Sequence, residues 1–298
     1  MTTSVSSTTH PLFSVLIANY NNGQYLLNAI DSIVEQTYPN WEIVIVDDKS
    51  TDNSIEIYKK YANDSRFKIH FNESNMGCGS SKRRCVELAT GDICGFLDPD
   101  DGLTRDALET MISAHTANPN CSLVYSLMYY ADSNLTITNT STHQCKIPPG
   151  HSFLTCNIPG AVSHFATFKK TFYLQTPGLN PAMKRAVDTD LYLKLEEVGK
   201  LQFVEKPLYI YRCNTGHNIS LGDVNAQKAI YWNFLARTEA CQRRGLPTED
   251  IAFPLLDRFI LDIKENAFIQ GEDTIRRTKA YSLGKRILRP FSWIKSHV

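Results

Sequence analysis

Residues 41–52 read WEIVIVDDKSTD, an apolar run that ends in two adjacent carboxylates, Asp47 and Asp48. The run is apolar on both faces and rich in Ile and Val, which is typical of a strand buried in a parallel sheet. The residues that follow, Asp52 and Asn53, are of the type that begins a helix. The stretch therefore predicts a strand, a polar turn and a helix, which is the repeating unit of an α/β fold.

The same unit recurs on both sides of this stretch. Short apolar or alternating runs predict further strands at 13–18, 67–71, 93–97 and 121–125. Amphipathic segments predict helices at 25–36, 54–61, 80–89 and 104–115. We therefore expect an α/β fold with a doubly wound, mostly parallel, Rossmann-like sheet. Ligands in such sheets bind beyond the carboxyl ends of the strands, so functional residues are expected in the loops that follow strands.

The second half of the sequence is less regular. Residues 126–160 are polar and predict no regular structure. A strand leading into a short helix is predicted at 165–172, a helix at 188–198, short strands at 201–204 and 208–211, and helices from 223 onward. The expected organisation is a disordered tail at 1–12, a nucleotide-binding half at 13–104, an acceptor-binding half at 105–222 and a helical C-terminal extension at 223–298.

The composition favours a cytoplasmic protein. The Ser/Thr-rich start of the chain lacks the charged and apolar segments of an export signal. The eight cysteines contain no C-x-x-C pair, which argues against a zinc ribbon or a thioredoxin-type site. Reduced thiols in the cytoplasm are therefore expected. No nucleic-acid partner is expected.

The charge is unevenly distributed although the chain has 31 basic and 31 acidic residues. Residues 274–298 contain seven basic and no acidic side chains, which leaves 24 basic against 31 acidic in the remainder. Leu288, Phe291 and Trp293 lie among the basic residues. This mixture predicts peripheral contact of the tail with anionic lipids at the inner face of a membrane. A solvated helix end or a subunit contact is the alternative.

Three carboxylates follow the predicted strand at 93–97, namely Asp98, Asp100 and Asp101 in the sequence DPDD. Like charges this close repel each other, and a divalent cation among them relieves the repulsion. Mn²⁺ or Mg²⁺ is the predicted cofactor, because these ions take hard oxygen ligands and share them with a diphosphate. A simple polar turn is the alternative interpretation.

Two further acidic positions complete the pattern. Asp47 and Asp48 can accept hydrogen bonds from a nucleobase or ribose, or they cap the following helix. Asp188, followed by Asp190, begins the predicted helix at 188–198. The N–H groups and dipole of a helix N-terminus favour an ionised carboxylate, so Asp188 can accept a proton as a general base or act only as a cap.

The order of these motifs resembles glycosyltransferase family 2, whose members have the GT-A fold. The stretches that carry the resemblance are VLIANYNN at 15–22, SIVEQTYPNWEI at 32–43, VDDKSTD at 46–52, NMG at 75–77, ATGD at 89–92 and FLDPDD at 96–101. The resemblance is strong over 13–104, moderate over 165–220 and absent beyond. It implies an inverting enzyme that uses a nucleotide-diphosphate sugar, with UDP favoured.

The resemblance also implies roles for individual residues in the first half. Tyr20 would pack against the base and Asp48 would bind its N–H group. Lys82, where the family often has Arg, would meet a phosphate as a point charge. Asp98 would bind ribose or support the metal, and Asp100 would be the direct metal ligand.

Asp188 falls where the family places its general base, although Val187 stands in place of the family's preceding Glu. Arg212 belongs to a Tyr-Arg pair like that of the family's Tyr-Arg-x-His motif. The fourth position of this motif is not His, and His217 is the nearest histidine, which makes it a candidate metal or phosphate contact. His164 either faces the acceptor or has a structural role.

The expected reaction is transfer of a sugar to a hydroxyl of a glycan or lipid-linked acceptor, as in bacterial surface polysaccharide synthesis. A sugar nucleotidyltransferase is one alternative, but 18–23 lacks the Gly/Lys/Arg-rich loop that such enzymes normally have. A non-catalytic protein that binds sugar nucleotides is another, and Asp188 argues against it.

Overall fold

Strands and helices alternate through the first half of the computed structural model, which describes residues 10–156, 158–213, 223–251 and 254. The strands are β1 (Phe13–Asn19), β2 (Trp41–Asp47), β3 (Phe67–Phe71), β4 (Ile93–Phe96) and the short β5 (Gly102–Leu103). The helices are α1 (Gly23–Val34), α2 (Ser54–Lys59), α3 (Cys78–Leu88) and α4 (Ala107–Ala117). The predicted strands and helices of this part are confirmed, with ends shifted by a few residues, and β5 is additional.

The second half adds strands, short helices and a helical end. The strands are β6 (Cys121–Ala131), β7 (Ile137–Thr140), β8 (Ala166–Lys169) and β9 (Lys200–Arg212). The helices are α5 (Lys170–Tyr173), α6 (Val187–Val198), α7 (Asp223–Arg244) and α8 (Thr248–Ile251). The chain divides into two compact units, Met1–Ile219 and Ser220–Val298. Residues 1–9 of the predicted tail, His217 and the basic stretch 274–298 lie outside the described residues.

Two expectations for the second half are wrong. Residues 126–160 were expected to be irregular, but 126–131 form the second half of β6 and 137–140 form β7, which pairs with it. The two short strands expected at 201–204 and 208–211 are one strand, β9. The reason for the second error is a bulge in the parallel β6–β9 ladder, where Leu127 pairs with Pro207 and the register shifts on both sides of Leu127. Pro207 has no N–H to donate, and the bulge accommodates it without ending the strand.

The strand order is β3-β2-β1-β4-β8-β6-β9-β5, with β7 paired to β6. The strands β3, β2, β1 and β4 are parallel to their neighbours, whereas β8 is antiparallel to both β4 and β6. The sheet is therefore mixed, with a parallel half like that expected. Because β1, β2 and β4 are parallel, the loops that follow them lie at one edge of the sheet.

The central strands are buried on both faces. Val15, Ile17 and Ile45 belong to the core cluster that includes α1 residues such as Ile30. Residues of alternate register in β1 and β2, such as Leu16, are fully buried as well. Burial on both faces explains why these strands are continuous apolar runs rather than alternating ones.

Glu42 lies at the start of β2, at the edge of the sheet opposite these loops, and is buried. Its carboxylate accepts hydrogen bonds from Ser14 Oγ (2.6 Å) and from Thr90 N and Oγ1 (2.6 and 2.7 Å), and it pairs with Lys68 Nζ at 2.6 Å. Burial raises the pKa of Glu42, but Lys68 and these hydrogen bonds outweigh burial and lower the pKa to about 2. The carboxylate therefore fastens the turn before β4 to β1 and β2.

We expect the substitution Glu42→Gln to lower the free energy of unfolding by about 3 kcal/mol at pH 7, which corresponds to the lowered pKa. Glu has an unfolded pKa of about 4.3. The contribution of Glu42 is therefore complete above that pH and is lost as the pH falls from about 4.3 toward 2. Urea unfolding should accordingly show a smaller difference between the two proteins at pH 3.5 than at pH 7. The exposed Glu35→Gln serves as control, and an equal effect at both positions would contradict this account.

Candidate active site

The carboxylate of Asp48 organises the loop between β3 and α3. Asp48 follows β2 directly, is buried, and accepts hydrogen bonds from Asn72 Nδ2 and from the backbone N–H groups of Met76 and Gly77, each at 2.7 Å. All three donors lie in the loop at 72–77. Asp48 thus lies at the carboxyl edge of the sheet, as predicted, and fixes the loop at 72–77 there.

Asp47 has a different, structural role. It accepts hydrogen bonds from Tyr58 Oη (2.7 Å), Asn19 Nδ2 (3.2 Å) and the backbone N–H of Ser50 (2.8 Å), all in the interior. The interpretation of Asp47 and Asp48 as helix caps is wrong, because α2 has Asn53 at its N-cap position and no side-chain capping bond.

Tyr20 follows β1 and exposes 47% of its surface at the same edge of the sheet. The next residue, Asn21, has a left-handed backbone with φ of 54°. Its side-chain Oδ1 accepts from Thr51 N at 2.7 Å, and its backbone N–H donates to Ser50 Oγ at 3.0 Å. The turns after β1 and β2 are therefore tied together and leave the ring of Tyr20 open to a ligand.

Asp101 turns away from the other two carboxylates of the DPDD loop. It is buried, and its oxygens accept hydrogen bonds from Tyr209 Oη (2.7 Å) and from the backbone N–H of Arg212 (2.8 Å). Burial, with repulsion from Asp100 and Asp98, raises the pKa of Asp101 well above its usual range. The expectation that all three carboxylates gather around a cation is wrong for Asp101, which instead fastens the loop to β9.

Asp98 and Asp100 differ in their surroundings. Asp98 Oδ1 lies 3.2 Å from Lys82 Nζ, and its Oδ2 lies 4.0 Å from His164 Nε2. Burial raises the pKa of Asp98, but the charges of Lys82 and His164 outweigh it and lower the pKa. Burial and the charge of Asp98 raise the pKa of Asp100 to about 6. The two carboxylates are therefore close enough to interact, and ionised Asp100 is disfavoured beside Asp98.

Lys82 joins two of the predicted carboxylates. Its Nζ lies 3.0 Å from Asp188 Oδ1 and 3.2 Å from Asp98 Oδ1, and the side chain is almost completely buried. Burial lowers the pKa of Lys82, but Asp188 and Asp98 outweigh burial and raise the pKa well above its usual range. Three residues predicted from separate parts of the sequence thus meet in one cluster.

Asp188 lies in the first turn of α6, which begins at Val187. Ala186 occupies the N-cap position with a left-handed backbone, φ of 51°, and no side-chain capping bond is present. The interpretation of Asp188 as the N-cap is therefore wrong. The side chain is 28% exposed, so one face of the carboxylate remains accessible while Lys82 holds the other.

Cys78, the first residue of α3, lies between this cluster and Asp48. Burial raises the pKa of its thiol, Lys82 opposes this and Asp188, Asp98 and Asp48 add to it, which brings the pKa to about 11. All four charged groups are therefore near one side chain. The position of Cys78 in the sequence carried no signal of this arrangement.

Tyr209 and Arg212 of β9 support the DPDD loop from behind. Tyr209 Oη accepts from the backbone N–H of Asp98 at 3.2 Å, and its ring stacks on His164 with centroids 5.0 Å apart. Arg212 donates from Nε to the carbonyl of Asp100 at 2.6 Å and packs over the ring of Tyr25. Arg212 belongs to the Tyr-Arg pair of the family motif, but nothing in the sequence indicated its contact with the loop.

The part of the chain that carries most of this site matches a known protein family. The family model described as glycosyl transferase family 2 matches residues 14–175, which is more than half of the chain. The chain belongs to glycosyltransferase family 2. The match includes the segments that carry Tyr20, Asp48, Lys82, Asp98 and Asp100.

Relatives of this family 2 chain include two much longer polysaccharide synthases. It is 30% identical to a chondroitin synthase of Escherichia coli, over 79% of this chain and 33% of the relative. It is 31% identical to a hyaluronan synthase of Pasteurella multocida, over 79% of this chain and 24% of the relative. The chain therefore spans a third or less of the length of these relatives.

The fold of this family 2 chain is the GT-A fold. The crystal structure of S. aureus TarS 1–349 in complex with UDP-GlcNAc superposes with a TM-score of 0.66, at 20% identity, over 86% of this chain and 74% of that one. The fold class expected from the sequence is thus confirmed.

Two features are absent from the part of the chain that the structure describes, a cluster of metal ligands and a membrane-spanning helix. No group of three or more His, Cys, Asp or Glu side chains there could hold a metal ion on its own. No helix among those residues is both long and apolar enough to cross a membrane. His217, the second predicted metal ligand, lies outside that part, so its role stays a prediction.

Proposed function

We propose that this chain is an inverting glycosyltransferase that moves a sugar from a UDP-sugar to a hydroxyl of a glycan or lipid-linked acceptor in surface polysaccharide synthesis. The observation that carries the proposal is the cluster in which Lys82 joins Asp98 to Asp188. The names of the synthases among its relatives support a polysaccharide product. The UDP-GlcNAc complex of the similarly folded TarS supports a UDP-sugar donor.

The chemistry assigned to Asp188 is general base catalysis. Its carboxylate lies in the first turn of α6 and is partly exposed, with Oδ1 beside Lys82. The acceptor hydroxyl gives its proton to Asp188 as its oxygen bonds to the anomeric carbon. The bond from that carbon to the diphosphate breaks on the opposite face, and UDP leaves with the electron pair. This single displacement inverts the anomeric configuration.

Lys82 and the two turns at the carboxyl edge bind and orient the donor. Tyr20 offers an open ring on which a base can stack, and Asp48 holds the neighbouring loop. Lys82 is a compact, charged donor beside Asp98, and its ammonium can pair with a diphosphate oxygen. In this arrangement Lys82 also sets the orientation of Asp188.

The carboxylates of Asp98 and Asp100 fit a divalent cation. Mg²⁺ is commonly bound through one or two carboxylates together with phosphate oxygens, so these two side chains and a diphosphate form a suitable ligand set. The raised pKa of Asp100 reflects repulsion from Asp98 as well as burial, and a cation relieves this repulsion. When bound, Mn²⁺ or Mg²⁺ neutralises charge on the leaving diphosphate. Cytoplasmic location and peripheral membrane contact through 274–298 belong to the same proposal.

A screen of donors with Mn²⁺ or Mg²⁺ tests the proposal. We expect UDP release from at least one of UDP-GlcNAc, UDP-GalNAc and UDP-glucuronate, with GDP- and dTDP-sugars as controls for the base. Pyrophosphate release from UTP and a sugar phosphate would indicate the nucleotidyltransferase alternative. Tight binding of UDP-sugars with neither transfer nor hydrolysis would indicate a non-catalytic binding protein.

A further inference from the structure

The segment at 178–186, called the strap below, leads into α6 and packs against the first turns of α3. Ser80 Oγ donates to the carbonyl of Pro181 at 3.2 Å, and Arg83 Nη1 donates to the carbonyl of Leu179 at 3.0 Å. These bonds join residues about 100 positions apart in the chain. The backbone of the strap is therefore fixed on α3 immediately before Asp188.

Gly79 allows this close approach. A Cβ atom at Gly79 would lie 2.5 Å from the carbonyl oxygen of Met183, 2.8 Å from that of Asn180 and 3.1 Å from that of Pro181. All three atoms belong to the backbone, so no side-chain rotation relieves the contact. Glycine inside a helix destabilises it by roughly 0.5–1 kcal/mol relative to alanine. Gly79 therefore makes α3 itself less stable but leaves room for the backbone of the strap.

A buried ion pair holds the strap from the side of α6. Asp190 Oδ2 lies 2.7 Å from Lys194 Nζ and accepts from the backbone N–H of Asn180 at 3.2 Å. Lys194 Nζ also donates to the carbonyl of Gly178 at 2.8 Å. The strap is thus held between α3 and α6, and Asp190 has this structural role although it lies only two residues from Asp188.

The start of α3 is also joined to Asp48. The backbone N–H of Gly77, directly before α3, donates to Asp48, and Lys82 pairs with Asp188. Gly79 lies between these two contacts. The segment from Gly77 to Lys82 therefore connects Asp48 with the carboxylate assigned to the proton transfer.

We propose that Gly79 is a positioning residue, which places Asp188 for proton transfer by letting the strap pack directly on α3. The role of Asp188 in this statement rests on the proposed function. The backbone contact between Gly79 and the strap does not.

The substitution Gly79→Ala tests the proposal by pushing the strap away from α3. We expect kcat for transfer to fall by roughly 10- to 100-fold, because a displacement of about 1 Å at a reacting group costs about that much. The Kd for UDP and the KM for the donor should stay within about twofold, since Asp48 and Tyr20 are held by other contacts. Ser80→Ala removes one hydrogen bond to the strap and should lower kcat by only about threefold. The KM for the donor should again stay within about twofold.

Gly91→Ala is the matched control, because a Cβ there also meets backbone atoms, Leu12 O at 2.6 Å and Ser14 N at 2.8 Å, at the opposite edge of the sheet. It should lower stability without changing kcat of the folded protein. The positioning role would be overturned if Gly79→Ala kept the wild-type kcat. It would also be overturned if UDP affinity, stability and kcat were all lowered together.

Hydrogen exchange separates this inference from the proposed function. In Gly79→Ala the amides at 178–190 should exchange faster, while those of Met76 and Gly77 remain protected by Asp48. If the wild-type chain shows no transfer with any donor, the proposed function fails, and unchanged exchange in the strap would then overturn the role of Gly79 independently.

Discussion

Replacing Asp188 by Asn is expected to lower kcat for sugar transfer by roughly 10²–10⁴-fold, the range over which a general base contributes. Asn has nearly the same shape as Asp but cannot accept a proton from the acceptor. The side chain is partly exposed and lies at the surface of α6, so the change leaves no buried cavity. The Kd for UDP should therefore remain within about twofold of the wild-type value.

Rapid-quench transfer assays and calorimetric titration with UDP measure the two quantities. Asp64→Asn is the control, since Asp64 lies in the exposed turn before β3 and pairs with Arg66. It should leave both values unchanged. Transfer at the wild-type rate by Asp188→Asn would remove Asp188 from the role of base, whatever its contact with Lys82.

Replacing Asp100 by Asn is expected to lower kcat/KM on the order of 10²–10³-fold and to abolish the response to added Mn²⁺ or Mg²⁺. Burial and the charge of Asp98 disfavour the ionised form of this carboxylate. An amide at this position relieves that repulsion but is a weaker ligand for a hard cation. The wild-type protein treated with excess EDTA should show a loss of similar size.

The test measures activity and the Kd for UDP as the concentration of Mn²⁺ or Mg²⁺ is varied. In EDTA, the wild-type protein and Asp100→Asn should bind UDP equally, because contacts to the base do not involve Asp100. With Mn²⁺, only the wild-type protein should bind more tightly. Activity that persists in EDTA, or a variant that still responds to Mn²⁺, would show that Asp100 does not hold a required cation.

The parallel half of the fold was predictable because its signals are local. Each of β1, β2 and β4 is a short apolar run followed by polar residues, and burial on both faces leaves no ambiguity about the type of strand. The pairing of β6 with β9 was not predictable, since it joins distant segments and hides Pro207 in a bulge. A proline in a sequence marks a break, and only the partner strand shows that the ladder continues.

The candidate site was predictable in its residue types and less so in their contacts. Asp98, Lys82 and Asp188, for which the family resemblance implied roles, lie together in the structure. Asp101 looked equivalent to Asp100 in the sequence, but Tyr209, more than 100 residues away, draws it into the interior. The role of Gly79 depends on the strap, which no local pattern in the sequence reveals.

The hydrogen bonds from Met76 and Gly77 to Asp48 have a consequence for how donor preference can change between related proteins. These bonds fix the backbone of the loop at 72–77 without a nucleotide, so a donor bound as proposed does not have to order this loop. The side chain of Met76 is 57% exposed and takes no part in these backbone bonds. A substitution of Met76 therefore changes the surface that the loop presents while the backbone bonds to Asp48 remain.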